Sequence, residues 1–329
     1  MKKIIVCIII IIGTCVQAQT IEYQVIGSSG TTLSNASASI NFTVGELVVT
    51  TITDGTTTLT QGFHQGEIQL SINLSAVAYL QGAALNPNTG EETLMRDDLR
   101  VADYIPTTSP YSDNATCNAA VFTTTGVNAI VDWIWVELRD ETTNTIVLHS
   151  QSALLQRDGD VVAIDGTSTL SINAGAGNYY VAINHRNHLG MMSANTITLS
   201  ATATIVNFTD NTNQITYGTN AQSTYGMPSG KVGMWTGNVG GDASVRYQGS
   251  GNDTNNIKDN VLADAGNTTS SNLHTFTGYD VADVNLDGSI RYQGSGNDTN
   301  SIKDAVLAHP DNQSSPSNLF IILEQLPEN

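Results

Sequence analysis

The residues best suited to chemistry form an alternating run of oxygen-bearing side chains near the C-terminus. Asp283, Asn285 and Asp287 are separated by single residues, and Gly288 follows at once. Ca²⁺ takes about six to eight oxygen ligands, and side chains at alternating positions of a tight loop can converge on one ion. Glycine permits the sharp turn that residues with a Cβ resist. This spacing predicts a calcium-binding loop.

The residues after this loop complete the predicted site. Ser289 would contribute its backbone carbonyl, and Ile290 would turn inward and fasten the loop to a core. Asp298 would supply the late acidic ligand, because the apolar residues from Ile302 onward have helical spacing and a helix N-terminus favours negative charge. Asn297 is the alternative candidate for that late position.

An internal repeat places a related loop earlier in the chain. Residues 246–263 and 291–308 are identical at sixteen of eighteen positions, at a constant offset of 45. The first loop is poorer in ligands, because Gly240 has no side chain and Ala243 replaces the turn glycine. We expect weak calcium binding or a calcium-free copy there. Its candidate ligands are Asn238, Asp242, Ser244 and Asp253.

The pattern D-x-N-x-D-G-x-I, a later Asp and then I-K-x-x-V-L resembles the calcium loop and following helix of type I dockerins, which also occur as tandem copies. The resemblance implies that Ile302 and Lys303 lie on the helix face. Residues 292–297 make the interval before the late acid four residues longer than in dockerins, and this segment is itself a candidate contact surface. The dockerin ligand positions correspond to Asp283, Asn285, Asp287 and Asp298.

A wider resemblance rests on GELVVT and TQGFHQ within residues 25–65, on VDWIWVELRD, and on the RYQGSGND repeats. These segments are similar to those of large exported Bacteroidetes proteins that are described as haemagglutinin-like or as type IX secretion substrates. The resemblance implies an exported protein and does not imply a particular activity.

The N-terminus has the features of a secretory signal peptide. Lys2 and Lys3 precede the apolar run Ile4–Ile12, and small residues lead to a predicted cleavage site after Ala18. A weaker alternative is a lipoprotein signal with Cys15 as the lipidated residue. The apolar run is shorter than the roughly 20 residues of a membrane span, and no later run is long enough. We therefore expect a secreted or cell-surface protein without membrane insertion.

Charge and cysteine content limit the possible partners. The chain carries 12 basic and 30 acidic residues, so loss of Lys2 and Lys3 with the signal leaves 10 against 30, a net charge of −20. Such a chain repels nucleic acids and attracts cations. Cys117 would be the one cysteine left, and it cannot form an intramolecular disulfide. Calcium is then the natural means of stabilising an exported fold.

The elements that must position these residues are predicted to be mainly β. We divide the chain into a signal peptide (1–18), a small N-terminal β module (19–66), a β-sandwich (67–230) and a tandem dockerin-like repeat pair (231–329). A cluster of Gly, Ser and Pro at residues 226–230 suggests the last boundary. Residues 130–138 are apolar on both faces, which predicts a central strand.

Other residues have side chains that could serve as catalytic or binding groups. His185 and His188 have HxxH spacing, but side chains three apart on a strand face opposite sides, so a hydrogen-bonded strand end is favoured. Asp158-Gly159-Asp160 is typical of a turn. The tryptophans at 133 and 135 would form a sugar-stacking platform only if they were exposed. No motif typical of a hydrolase or phosphate-binding site is present.

Three functions remain, and the first is preferred. In the first case, the chain is a non-enzymatic surface protein whose repeat pair associates with a protein partner in the presence of calcium. Alternatively, it is a glycan-binding adhesin with the sandwich as lectin. In the third case it is a polysaccharide hydrolase that carries a dockerin, which requires a pair of acids in a cleft that the sequence does not reveal.

Overall fold

The structure is a computed structural model that describes residues 70–328 and, before them, the backbone of four short strands. The chain divides into two compact units, Met1–Ile68 and Gln69–Asn329. In the first unit, β1 (Ser29–Ser34) pairs antiparallel with β2 (Ser39–Val44), and β3 (Ile52–Thr53) pairs antiparallel with β4 (Thr58–Leu59). The predicted signal peptide and its cleavage site lie outside the described residues.

The second unit is mainly β, with several sheets and a few helices. Its strands before the repeats are β5 (Ile72–Val77), β6 (Ile130–Arg139), β7 (Val147–Gln156), β8 (Val161–Val162), β9 (Leu170–Ile172), β10 (Gly177–His185), β11 (His188–Met192), β12 (Ile197–Leu199), β13 (Thr204–Asn207), β14 (Gln222–Ser223) and β15 (Gly233–Met234). Two single-turn helices, α1 (Gln81–Ala84) and α2 (Asp98–Val101), follow β5. None of the helices in the described part of the chain combines the length and apolar character needed to cross a membrane.

The larger sheet has the order β11-β10-β6-β7-β8, and β12 also pairs with β10. The second sheet has the order β13-β5-β9, in which β13 runs parallel to β5. Nine of the ten residues of β6 are buried, and β6 has a partner on each side, so the predicted central strand is confirmed. Side chains from both sheets, such as Leu74 of β5 and Ile134 of β6, belong to one hydrophobic core.

The repeats contribute β16 (Ser244–Arg246), α3 (Asp253–Ala263), β17 (Thr275–Thr277), β18 (Ser289–Arg291), α4 (Asp298–Ala308) and β19 (Ile321–Leu323). The strands pair crosswise. β16 of the first copy pairs with β19, which follows the helix of the second copy, and β17, which follows the helix of the first copy, pairs with β18. The exchange of strands between the two copies is therefore reciprocal.

The repeat pair has its own core, in which Ile257 of α3 and Ile302 of α4 are fully buried. Leu189 of β11 and Trp235 also belong to that core, although they come from outside the repeated segments. The Gly, Ser and Pro cluster at residues 226–230 lies between the paired strands β14 and β15. The repeats and the preceding sheets therefore pack within one compact unit.

Candidate calcium site

The second repeat forms a loop before β18 in which polar side chains bind the loop's own backbone. The Asp287 N–H donates to Asp283 Oδ1 at 3.1 Å and to Asn285 Oδ1 at 2.9 Å. The Gly288 N–H donates to Asp283 Oδ2 at 2.9 Å, and the Ser289 N–H donates to Asp287 Oδ1 at 2.8 Å. The structure thus brings the predicted side-chain oxygens of this loop together around a single turn of backbone.

The turn requires left-handed backbone at two positions in each copy. In the second copy these are Leu286 (φ 58°) and Gly288 (φ 75°), and in the first copy they are Gly241 (φ 64°) and Ala243 (φ 58°). The expected role of Gly288 is confirmed. A residue with a Cβ pays roughly 1–2 kcal/mol in this region, whereas glycine adopts it freely. Each copy therefore keeps one strained non-glycine residue.

Asp298 is the first residue of α4 and turns its fully buried carboxylate back toward the loop. Its Oδ1 accepts from the Val284 N–H at 3.0 Å, and its Oδ2 accepts from the Arg291 N–H at 2.8 Å. Asn297 caps the helix instead, because its Oδ1 accepts from the Asn300 N–H at 2.8 Å. Of the two candidates for the late acidic position, Asp298 is the one that reaches the loop.

Two of the carboxylates of this loop, Asp283 and Asp298, are fully buried, and Asp287 is partly exposed. Burial raises the pKa of Asp283 to about 7, Arg186 opposes this shift and the nearby charge of Asp287 adds to it. Burial, followed by the charge of Asp283, raises the pKa of Asp298 well above its usual value. Removal of carboxylates from water disfavours their charged form, and a nearby cation restores it. The loop is therefore an environment in which a bound cation would relieve a large electrostatic cost.

The chemistry of this donor set fits calcium. All its donors are oxygens, from three carboxylates, the Asn285 amide and the Ser289 carbonyl, as a hard cation requires. In the described part of the chain, no group of three or more His, Cys, Asp or Glu side chains is arranged to hold a metal ion as it stands. The carboxylate oxygens bind backbone N–H groups, so they would have to exchange those donors for the ion.

The first copy adopts the same loop with fewer side-chain oxygens. The Asp242 N–H donates to Asn238 Oδ1 at 3.1 Å. The Asp253 carboxylate accepts from the Gly240 N–H at 3.0 Å and from the Arg246 N–H at 2.8 Å, as Asp298 does in the second copy. Burial raises the pKa of Asp253 to about 6. The last candidate of this copy, Ser244, is buried, and its hydroxyl donates to Asp242 Oδ1 at 2.7 Å.

Asn256 on α3 is a residue of this loop that sequence reasoning missed. A Cβ at Gly240 would lie 2.8 Å from the Asn256 amide nitrogen, so the Asn256 side chain fills the space left by the missing side chain. The second copy has Asn285 and Ser301 at these positions. The first copy thus has its asparagine on the helix, and the second copy has it in the loop. The sequence contains a signal of this difference, because Asn256/Ser301 is one of only two differences between residues 246–263 and 291–308.

Side chains from outside the second repeat bind the backbone of the second loop. They donate hydrogen bonds to five backbone carbonyls between residues 280 and 285. The donors and acceptors are Arg186 to Asp280 O, Asn187 to Val281 O (2.9 Å) and to Asp283 O (2.7 Å), Thr236 to Val284 O (2.5 Å), and Arg96 to Asn285 O (2.6 Å). We call these four donor residues the clamp.

Asn187 connects the clamp to the first loop as well. This fully buried residue lies in the turn between β10 and β11. Its backbone carbonyl accepts from the Gly237 N–H at 2.9 Å and from the Asn238 N–H at 3.1 Å, while its side chain binds the second loop. One turn of the larger sheet therefore contacts both candidate calcium loops.

A buried polar network supports this turn. Asp132 accepts hydrogen bonds from His185 Nε2 (3.1 Å), Arg186 Nε (3.2 Å) and the Tyr279 hydroxyl (2.6 Å). Burial by itself would raise the pKa of Asp132, but Arg186 and His185 lower it to about 2. Tyr279 precedes the second loop, so the network also joins β6 to the repeats.

The two histidines face each other across the end of β10 and β11, with their Nδ1 atoms 3.0 Å apart. The Gly82 N–H donates to His188 Nε2 at 3.0 Å, and His185 Nε2 bonds to Asp132, so every ring nitrogen has a partner. Burial lowers the pKa of both rings, which keeps them neutral. The hydrogen-bonded environment predicted for His185 and His188 is confirmed. The expectation that their side chains face opposite sides is wrong, because a turn at residues 186–187 brings the two rings together.

The remaining candidate groups are also structural. Trp133 is fully buried, and its indole N–H donates to a backbone carbonyl at 2.8 Å, so a sugar-stacking platform at this residue is excluded. Asp158-Gly159-Asp160 is a turn in which the Asp160 N–H donates to Asp158 Oδ1 at 3.2 Å and Gly159 has φ 100°.

Comparison with known proteins found no matching family model, no similar curated protein and no solved structure with a matching fold.

Proposed function

We propose that this chain is an exported, non-enzymatic protein in which a dockerin-like repeat pair, stabilised by calcium, mediates association with a protein partner at or outside the cell surface. The main observation in support is the second loop, where the carboxylates of Asp283 and Asp298 are buried and the clamp binds the backbone carbonyls. We further infer that the two central sheets form a β-sandwich, since both contribute side chains to one core.

Calcium would act here as a structural ion. It would add positive charge beside the buried carboxylates of Asp283 and Asp298, whereas Asp287 already forms an ion pair with Arg291 at 3.3 Å. The clamp would keep the loop backbone in place during binding, so that little ordering entropy is lost. With Cys117 as the one cysteine after the predicted cleavage site, such an ion would take the place of a disulfide.

Two further observations support a binding role without catalysis. The two histidines of the central sheets, His185 and His188, are buried, and every ring nitrogen has a hydrogen-bond partner. The two helices carry equivalent Lys-Asp pairs, 258–259 and 303–304, whose side chains are at least one-third exposed or nearly so. Both copies therefore have the same charged pair at their surface.

The test is a calorimetric calcium titration of residues 19–329, together with thermal melting in calcium and in chelator. The repeats should not be tested alone, because three of the four clamp residues precede residue 231. Wild type should bind saturably, and calcium at about 100 times its Kd should stabilise it by about 2.7 kcal/mol. Asp283→Asn with Asp287→Asn should lose both effects.

Asp158→Asn with Glu141→Gln is the matched control, because it removes the same charge from surface turns away from the loop and from the Lys-Asp pairs. Equal calcium responses of the wild type and the loop variant would rule out the site. If the site is present, calcium-dependent capture of a partner by the wild type, and its loss in the loop variant, tests association.

A further inference from the structure

A polar cleft of about 410 Å³ lies between the two repeats, on the lengthened segments that precede the helices. Each copy contributes six residues at equivalent positions. In the first copy these are Tyr247, Gln248, Gly249, Asn252, Thr254 and Asn255, and the second copy contributes the residues 45 positions later. We call this space the repeat cleft.

The two copies are most alike where they line the repeat cleft. All six lining positions are identical between the copies. The calcium loops, residues 238–245 and 283–290, agree at only three of eight positions. Calcium binding alone would require the loops to match and would leave the lengthened segments free to vary. The identity of the cleft residues continues into the helices, and it gives the cleft the same lining from each copy.

Some of the lining residues build the cleft, and others are available to a ligand. Asn252 caps α3 by accepting from the Asn255 N–H at 2.9 Å, and Thr254 donates to the Tyr247 carbonyl at 3.0 Å. By contrast, the exposed side chain of Gln248 and the Tyr247 hydroxyl have no hydrogen-bond partner among the described residues. The same division holds in the second copy.

The chemistry of the lining selects a class of ligand. Amides and hydroxyls both donate and accept hydrogen bonds, and tyrosine adds an apolar ring with a polar tip. None of the twelve lining residues is charged. A charged ligand would find no counter-ion there, and a wholly apolar one would bury polar groups without partners. The volume is in the range of small-ligand sites, roughly 300–1,000 Å³.

We propose that the repeat cleft binds a neutral glycan chain, with one sugar ring against Tyr247 and another against Tyr292, and with the amides of Gln248 and Gln293 bonded to sugar hydroxyls. This goes beyond the calcium-dependent association proposed above and does not require it. The site lies on the repeats, away from the buried Trp133 of the sheets.

The experiment uses residues 19–329 and a panel of linear hexasaccharides of glucose, mannose and xylose, with oligogalacturonate as the acidic member. Calorimetry measures Kd in calcium and in chelator, and at about 50 mM and about 500 mM salt, because screening weakens only charge-dependent binding. We expect at least one neutral hexasaccharide to bind with a Kd that salt does not change. Tyr247→Ala and Tyr292→Ala should each weaken binding by about five- to tenfold.

Tyr247 and Tyr292 also touch the repeat core, so a second variant guards against unfolding. Gln248→Ala with Gln293→Ala changes only exposed side chains and should weaken binding without altering the melting temperature. Tyr217→Ala and Gln214→Ala are matched controls on exposed residues outside the cleft and should bind as wild type does.

The proposal is overturned if no neutral hexasaccharide binds, if only oligogalacturonate binds, or if a hit keeps its affinity in the glutamine variant. Binding of a peptide library that is lost in the same variants would overturn it too, and would assign the cleft to a protein partner. Persistence of glycan binding in chelator would uphold this proposal even if the calcium titration failed.

Discussion

Asn187 offers the sharpest test of the structure, because one buried amide connects the larger sheet to both repeat loops. We predict that Asn187→Ala destabilises the protein and weakens calcium binding together. The substitution removes the donor to Val281 O and Asp283 O, while the backbone bonds to the first loop persist. His188 loses one acceptor but keeps His185.

The magnitude follows from the burial of the two acceptors. The bond to Asp283 O is buried, and loss of a partner to a buried polar group costs about 1–3 kcal/mol. The bond to Val281 O is part-buried, and a typical hydrogen bond contributes about 0.5–1.5 kcal/mol. We therefore expect the free energy of unfolding to fall by about 2–4 kcal/mol, and no compensating contact is available to alanine.

The assay is urea unfolding of residues 19–329, followed by tryptophan fluorescence in calcium and in chelator, with calorimetry for the calcium Kd. Asn195→Ala is the matched control, since this asparagine is exposed and lies beyond the same hairpin. A loss of less than about 0.5 kcal/mol would refute the importance of the buried amide. A large loss with an unchanged calcium Kd would show that the clamp and the candidate site are independent.

Three further predictions concern the loops. Ala243→Gly should stabilise the protein by about 0.5–1 kcal/mol in urea unfolding, because Ala243 has φ 58°, and an unchanged or lower stability would contradict the strain argument. Asn238→Asp with Gly240→Asn and Asn256→Ser gives the first loop the side-chain donors of the second and should raise the calorimetric calcium stoichiometry by one; no increase would exclude the predicted ligand set. The third prediction concerns pH in chelator: because the pKa of Asp283 is raised to about 7, the folded state binds more protons than the unfolded state between about pH 4 and 7, and stability should fall as pH rises through this window. Asp283→Asn should remove up to about 4 kcal/mol of that loss. A variant whose stability has the same pH profile as wild type would refute this.

Features that depend on neighbouring residues were readable from the sequence. The loop spacing predicted that Asp283, Asn285 and Asp287 would gather around one turn, and Gly288 has the positive φ expected of it. The helix after the loop begins at Asp298, as the apolar spacing indicated. These features follow from local backbone geometry, so a short stretch of sequence is sufficient to specify them.

Other features join residues that are distant in the chain, and no local pattern encodes them. The clamp brings Arg96 within 2.6 Å of the carbonyl of Asn285, which is 189 positions away. The role of the histidine pair likewise depends on distant residues, because Asp132 binds His185 Nε2 and the Gly82 N–H donates to His188 Nε2.

By itself, the sequence determined that the chain contains two related loop and helix units, where each loop turns and where each helix begins, because backbone sterics and side-chain spacing act over a few residues. Only the tertiary structure decided that the units exchange strands, that a turn of the larger sheet holds the second loop, and that the lengthened segments face each other across a cleft. These contacts depend on how hydrophobic burial folds distant segments together, and that is a property of the whole chain.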